Sequence, residues 1–169
     1  MTRDLLAAPR APWVLLDVVT TDEAKLLPEA LYSNLSATPV IRKLRGAKMR
    51  TRQGLMDEFG AALQFFDGFG ENWYALRDCL RYLDECLPGD CYLLIVTSPA
   101  HLLEQEGGEE LYWFLRTLDE VGEWWAQPVT GEGRFDRPAI PFHTVLQVAE
   151  HEISGLAPAL SKLPILLKR

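Results

Sequence analysis

Residues 91–97 read CYLLIVT, a run with no charged residue that follows the turn sequence Pro88-Gly89-Asp90. A strand with one wet face alternates apolar and polar side chains; a strand covered on both faces does not. This run does not alternate, so it predicts an inner strand of a parallel sheet. Outward from it, FHTVLQV (142–148) predicts a last strand and PVIRKL (39–44) a short one. WVLLDVV (13–19), apolar and β-branched, is a candidate strand near the N-terminus. The segments between them carry helical spacing. Thr51 is a candidate N-cap before Leu55, Phe59, Ala62 and Phe66. Gly68 and Gly70 break the chain, and Asn72 caps a helix whose Trp73, Leu76, Leu80 and Leu83 form one apolar stripe. Leu111, Phe114, Leu115, Leu118, Val121 and Trp125 mark a long amphipathic helix over residues 109–127. Residues 22–34 also have helical spacing, with Pro28 as an alternative start, and Ser98-Pro99 has the chemistry to cap a short helix. Residues 106–110 and 128–141 read as loops. The order strand, helix, helix, strand, helix, helix, strand requires crossovers, which gives a small parallel α/β sheet.

The chain has 169 residues, enough for one domain with short additions. Its net charge is −7. A phosphate backbone needs a basic surface, so direct nucleic-acid binding is not expected, while a basic protein partner is compatible. No secretory leader and no membrane-length apolar run is read from the sequence, so no membrane association is expected. Cys79, Cys86 and Cys91 are odd in number and clustered, which fits reduced thiols in the cytoplasm better than a disulfide framework.

The catalytic inventory is poor. His101, His143 and His151 share no metal-ligand spacing with each other or with the cysteines. Buried thiols and a strand histidine are the expected reading. No phosphate loop, dinucleotide fingerprint or nucleophile elbow is present, and Ser98 reads as a cap rather than a nucleophile. No catalytic residue, metal or cofactor is therefore expected. The basic run Arg42, Lys43, Arg45, Lys48, Arg50, Arg52 spans a strand and a turn, where alternate side chains leave on opposite faces. It reads as a solvated edge that counters acidic helices. The acids gather in residues 67–90 and 104–123. By themselves such runs are wet helix faces.

One acid stands apart. At about 100° per residue, Asp78 lies almost opposite Leu76, on an outer face shared with Tyr74, Arg81 and Glu85. It therefore points to solvent or to a partner. The stretch around it, FGENWYALRDCL (69–80), resembles the signature of the barstar family, intracellular inhibitors of microbial guanyl-specific ribonucleases. Phe69, Gly70, Asn72, Ala75, Leu76, Asp78 and Leu80 carry the match. The resemblance implies a barstar-like fold, a parallel sheet of three strands with helices. The N-terminal segment would add a fourth strand at the sheet edge.

The resemblance also implies a mode of action. Carboxylates on a capped helix enter the basic active site of a ribonuclease in place of phosphate. Asp78 matches the family's anchor, and Glu120 matches an acid on the penultimate helix. Phe69, Gly70, Glu71, Asn72, Tyr74 and Arg77 complete the expected partner-binding set. The chain departs from the family pattern in three places. Tyr74 stands where an acid is frequent, Gly68 where an aromatic is frequent, and Arg77 directly before the anchor. The expected organisation is an N-terminal extension (1–38), a barstar-like domain (39–149) and a C-terminal tail (150–169). The expected partner is a barnase-like ribonuclease. The alternative is another basic toxin or a regulator bound by the same scaffold. A third reading, Asp78 and Glu120 as an acid–base pair, requires a deep cleft between them.

Overall fold

A computed structural model describes residues 2–20 and 35–166. In chain order the elements are α1 (Thr2–Leu6), β1 (Val14–Val19), β2 (Pro39–Arg45), α2 (Arg52–Leu63), α3 (Trp73–Arg81), β3 (Cys91–Thr97), α4 (Gly108–Trp125) and β4 (Phe142–Ala149). The helix expected over 22–34 lies outside the described residues. The sheet has four strands in the order β1-β4-β3-β2, and every pairing is parallel. The expected fourth strand therefore exists, and β1 pairs with β4 in the register Leu15 to Val145. Outside β1 runs the tail: Leu16 donates its N–H to Pro164 and accepts from Leu166 through its carbonyl, at 2.8 and 2.7 Å. The tail thus satisfies an edge that would otherwise present open backbone groups.

The central strand behaves as CYLLIVT requires. Residues 91–96 are buried, because its two faces belong to two different apolar clusters. On one face Tyr92, Leu94 and Val96 meet the inner stripes of α2, α3 and α4. On the other, Leu93 and Ile95 meet a thinner layer that includes Leu6, Leu35 and Leu166. The three helices that carry the candidate site thus share one face of the sheet.

Several expectations are corrected by local geometry. Phe66 does not continue the α2 stripe. Gln64 takes left-handed backbone angles (φ 56°) and ends the helix, leaving Phe66 64% exposed. Leu83 is buried as expected but lies in a short 3₁₀ turn after α3 has ended. Ser98 is not a side-chain cap. It sits at φ 50°, ψ 54°, and its hydroxyl caps nothing in the 3₁₀ turn Pro99–His101. Residues 108–110, read as loop, are the first turn of α4. The 128–141 loop is pinned by a bridge between Val129 and Arg137. Of the three thiols only Cys91 is buried, and burial pushes it up to about 12; Cys79 is half-buried and Cys86 exposed.

Three of the six cations of the basic run, Arg45, Arg50 and Arg52, pair with acids within the fold. Arg45 forks onto Glu58 at 2.8 and 2.7 Å and holds that buried carboxyl below its usual range. Arg50 pairs with Glu104, and Arg52 with Glu110 at 3.8 Å.

The strand histidine is His143, fully buried, with Nδ1 3.1 Å from the Pro12 carbonyl and Nε2 3.0 Å from that of Ala8. It ties the N-terminal segment to β4. A neutral ring has one N–H, so it donates to only one of these carbonyls. Burial lowers its pKa, against both carbonyls, which favour the charged ring. The unfolded chain therefore takes up the proton first. Stability is complete above about pH 6.5 and falls as the pH drops from there toward the lower folded value. Urea midpoints should be lower at pH 5.5 than at pH 7.5, and His143→Gln should narrow that gap. An unchanged gap would assign the proton uptake elsewhere.

Candidate functional site

The site begins with the way α2 hands over to α3. Thr51 opens α2, its hydroxyl accepting from the Gly54 N–H at 3.1 Å. After Gln64 the chain turns back, and Phe69 packs edge-on against Phe65 with ring centres 5.0 Å apart. Phe69 is half-buried and anchors the turn to the core. In Gly70-Glu71-Asn72 the left-handed residue is Glu71, at φ 46°. Its carboxylate accepts from Gln53 of α2 at 2.8 Å, which holds the unusual backbone in place. Gly70 serves a different need. A Cβ there would stand 3.2 Å from the Asn72 amide nitrogen and 3.3 Å from the Ala75 methyl. Asn72 closes the turn from both sides: it accepts from the Ala75 N–H at 3.0 Å and donates to the Gly70 carbonyl at 2.9 Å. The cap read from the sequence is present and fixes the direction of α3.

On α3, Leu76 and Leu80 are fully buried and Tyr74 and Asp78 face out. The Asp78 side chain is 59% exposed. Two indoles fasten α3 to α4. Trp73 Nε1 donates to Glu110 at 3.1 Å, and Trp125 Nε1 donates to the Leu80 carbonyl at 2.9 Å. Rigid packing of the two helices sets Asp78 of α3 near Glu120 of α4.

Arg77 lies between the two acids. Its Nε and Nη2 are each 3.4 Å from Asp78 Oδ1, and its Nη1 is 3.8 Å from Glu120 Oε2. Its guanidinium stands over the Tyr74 ring, 5.4 Å from the centre. Glu120 is held more closely from its own helix, by Arg116 Nε at 2.8 Å. Arg116 also contacts the Tyr112 hydroxyl at 3.3 Å and stacks over Trp113 at 5.5 Å. Sequence reading missed Tyr112, Trp113 and Arg116. The i, i+4 spacing of Tyr112, Arg116 and Glu120 was the available signal.

The two acids line different hollows. Asp78 borders an open groove of about 530 Å³ with Phe66, Ala75, Cys79 and Tyr82. Glu120 borders another, of about 300 Å³, with Tyr74, Arg77 and Trp113. Arg77 stands between the carboxylates, and among the described residues each borders its own hollow. Among the described residues, no three histidine, cysteine or acidic side chains gather as a metal site, and no helix is long and apolar enough to cross a membrane.

Fold and site together define a small parallel α/β protein that displays carboxylates and aromatic rings on two packed helices. The profile of the family described as Barstar (barnase inhibitor) matches residues 40–147, and the chain belongs to that family. The matched span runs from β2 to β4 and includes both helices of the site. No curated protein matches the chain.

Proposed function

We propose that the chain is a proteinaceous inhibitor of a guanyl-specific microbial ribonuclease, acting in the cytoplasm by filling the enzyme's basic active site with acidic helix residues. The observation that carries this reading is Asp78. It is exposed on a helix whose entry is fixed by Gly70, Glu71 and Asn72, beside Glu120, in a member of the barnase-inhibitor family. A carboxylate fixed in this way loses little freedom on binding and meets a cation that evolved to hold phosphate. In this reading Asp78 is the anchor and Glu120 the second acid. Tyr74 and Arg77 form the contacting rim, and Phe69, Gly70, Glu71 and Asn72 shape the entering loop. Residues 39–149 are the inhibitor domain, with 1–38 and 150–169 as additions to it.

A second reading keeps the surface and changes the partner to another basic toxin. The Arg77 cation beside the anchor favours it. Titration of a barnase-like ribonuclease with the protein, following RNA cleavage, tests the first reading. One-to-one loss of activity is the expected result. Full cleavage at micromolar protein would move the assignment to the second.

A further inference from the structure

Phe135 of the 128–141 loop is 54% exposed, and Tyr82 at the end of α3 is 53% exposed. The two rings border one groove of about 490 Å³, with Glu132, Trp124 and Arg137. Tyr82 also borders the hollow that holds Asp78, so the groove continues that hollow past the end of α3. The loop is fixed from several sides. Val129 and Arg137 exchange backbone hydrogen bonds at 2.9 and 3.0 Å. The Arg137 guanidinium donates inward to the carbonyls of Trp124, Trp125, Gln127 and Pro138. The Asp136 carboxylate accepts from the Glu132 N–H at 2.7 Å, and Gly131 and Gly133 take left-handed angles (φ 86° and 65°). Arg81 lies over Trp124, 5.2 Å from the ring centre. Two cations, Arg81 and Arg137, are thus half-buried in the floor of the groove. The exposed charges around its mouth are Asp84, Glu85, Glu132 and Asp136, against Arg134 over the Phe135 ring. Asp84 supports the charge of Arg137, whereas Glu132 has no ion pair among the described residues.

A stable interface covers about 800 Å² on each partner, a patch of roughly 15 Å radius. Tyr82 is one helical turn beyond Asp78, about 6 Å along the axis. A partner centred on Asp78 therefore covers the mouth of this groove as well. Resting on the inhibitor reading, we infer that the 128–141 loop is a second contact arm, and that its groove takes a lysine or arginine side chain from the nuclease surface outside the active site. The methylene stem of that side chain lies between Tyr82 and Phe135, and its charged head reaches Glu132 at the mouth. The head stays in water, so burial of the two rings carries most of the contact. Because the loop is fixed before binding, little freedom is lost when the side chain enters.

The test measures association and dissociation of a barnase-like ribonuclease with wild type, Phe135→Ala, Phe135→Leu and Glu132→Gln. A panel of the nuclease is measured beside it, each member with one lysine or arginine outside the active site replaced by alanine. Phe135→Ala should bind about tenfold weaker, chiefly through faster dissociation. Phe135→Leu keeps an apolar side chain and should stay within about threefold of wild type. Glu132→Gln should weaken binding about threefold and flatten the salt dependence of the association rate. One member of the panel should absorb both losses: against it, Phe135→Ala and Glu132→Gln should each cost less than about twofold. A loop that only supports α3 and α4 would lose the same factor against every member. If Phe135→Ala binds within about twofold of wild type, or if no member of the panel absorbs its loss, the inference is overturned and the inhibitor reading stands. If the wild-type protein leaves the ribonuclease unbound at micromolar concentration, the inhibitor reading fails and the inference falls with it.

Discussion

Asp78→Ala should lose nearly all inhibition while folding normally. The side chain is mostly in water, its α3 neighbours Leu76 and Leu80 do the packing, and the helix cap is Asn72. Removing it therefore costs little stability, within the roughly 0.5 kcal/mol usual for surface positions. Binding is another matter. Truncating one partner of a buried, hydrogen-bonded charge pair costs about 2–5 kcal/mol, roughly 30- to 4,000-fold in affinity. Arg77 adds to the loss, since without Asp78 it meets the basic cleft with only the 3.8 Å contact to Glu120 beside it. Glu85→Ala is the matched control. It removes an equally acidic side chain seven residues on, exposed and beyond the end of α3, and should change affinity by about threefold or less. Glu120→Ala should fall between, because Arg116 already holds Glu120 at 2.8 Å. The two acids share Arg77, so the double variant should depart from the sum of the singles by about 0.5–3 kcal/mol. Affinities measured for these four proteins and wild type decide it. Near-equal losses for Asp78→Ala and Glu85→Ala would mean that bulk charge, not a fixed anchor, drives binding.

The parts of this architecture that depend on short-range rules were legible in the residue order. CYLLIVT marked a doubly covered strand because a residue buried on either face has no reason to be polar. Thr51 and Asn72 marked helix entries because an unpaired N–H needs an oxygen at that position. Other features turn on single backbone angles or on distant contacts. Whether α2 continues to Phe66 depends on Gln64 adopting φ 56°, and nothing in its identity requires that. Ser98 has the composition of a cap, yet Gly46 lies so close to its carbonyl that a Cβ there would stand 2.4 Å away; the backbone at this crossing is set by the β2–β3 approach. The acid pair was visible as two separate runs. That Arg77 lies between them depends on how α3 and α4 pack, which neither helix encodes alone. The same is true of the tail, whose Pro164 and Leu166 find Leu16 across nearly the whole chain.

Trp125→Ala should be among the most damaging single changes to the fold. The side chain is fully buried, its ring centre 5.0 Å from that of Tyr92, with the Arg137 guanidinium 4.3 Å above it. Its indole N–H donates to the Leu80 carbonyl, one of the last α3 carbonyls, which have no donor within their own helix. Burial of the ring and the cap on α3 are separable. Loss of the whole side chain leaves a cavity in a packed interior and costs about 3–5 kcal/mol. For a chain of this size that is a fall in Tm of roughly 6–20 °C. Trp125→Phe keeps much of the apolar volume and removes the donor, so it should cost about 1 kcal/mol, or roughly 2–4 °C. Thermal and urea unfolding of both variants measures the difference. If Trp125→Phe is as unstable as Trp125→Ala, the hydrogen bond to Leu80 outweighs the buried ring. The consequence then reaches the site, because Leu80 is two residues from Asp78. In that case Trp125→Phe should also weaken binding at temperatures where it remains folded. If ring burial dominates, Trp125→Phe should bind as wild type does, since Trp73 and Asn72 still fix the start of α3.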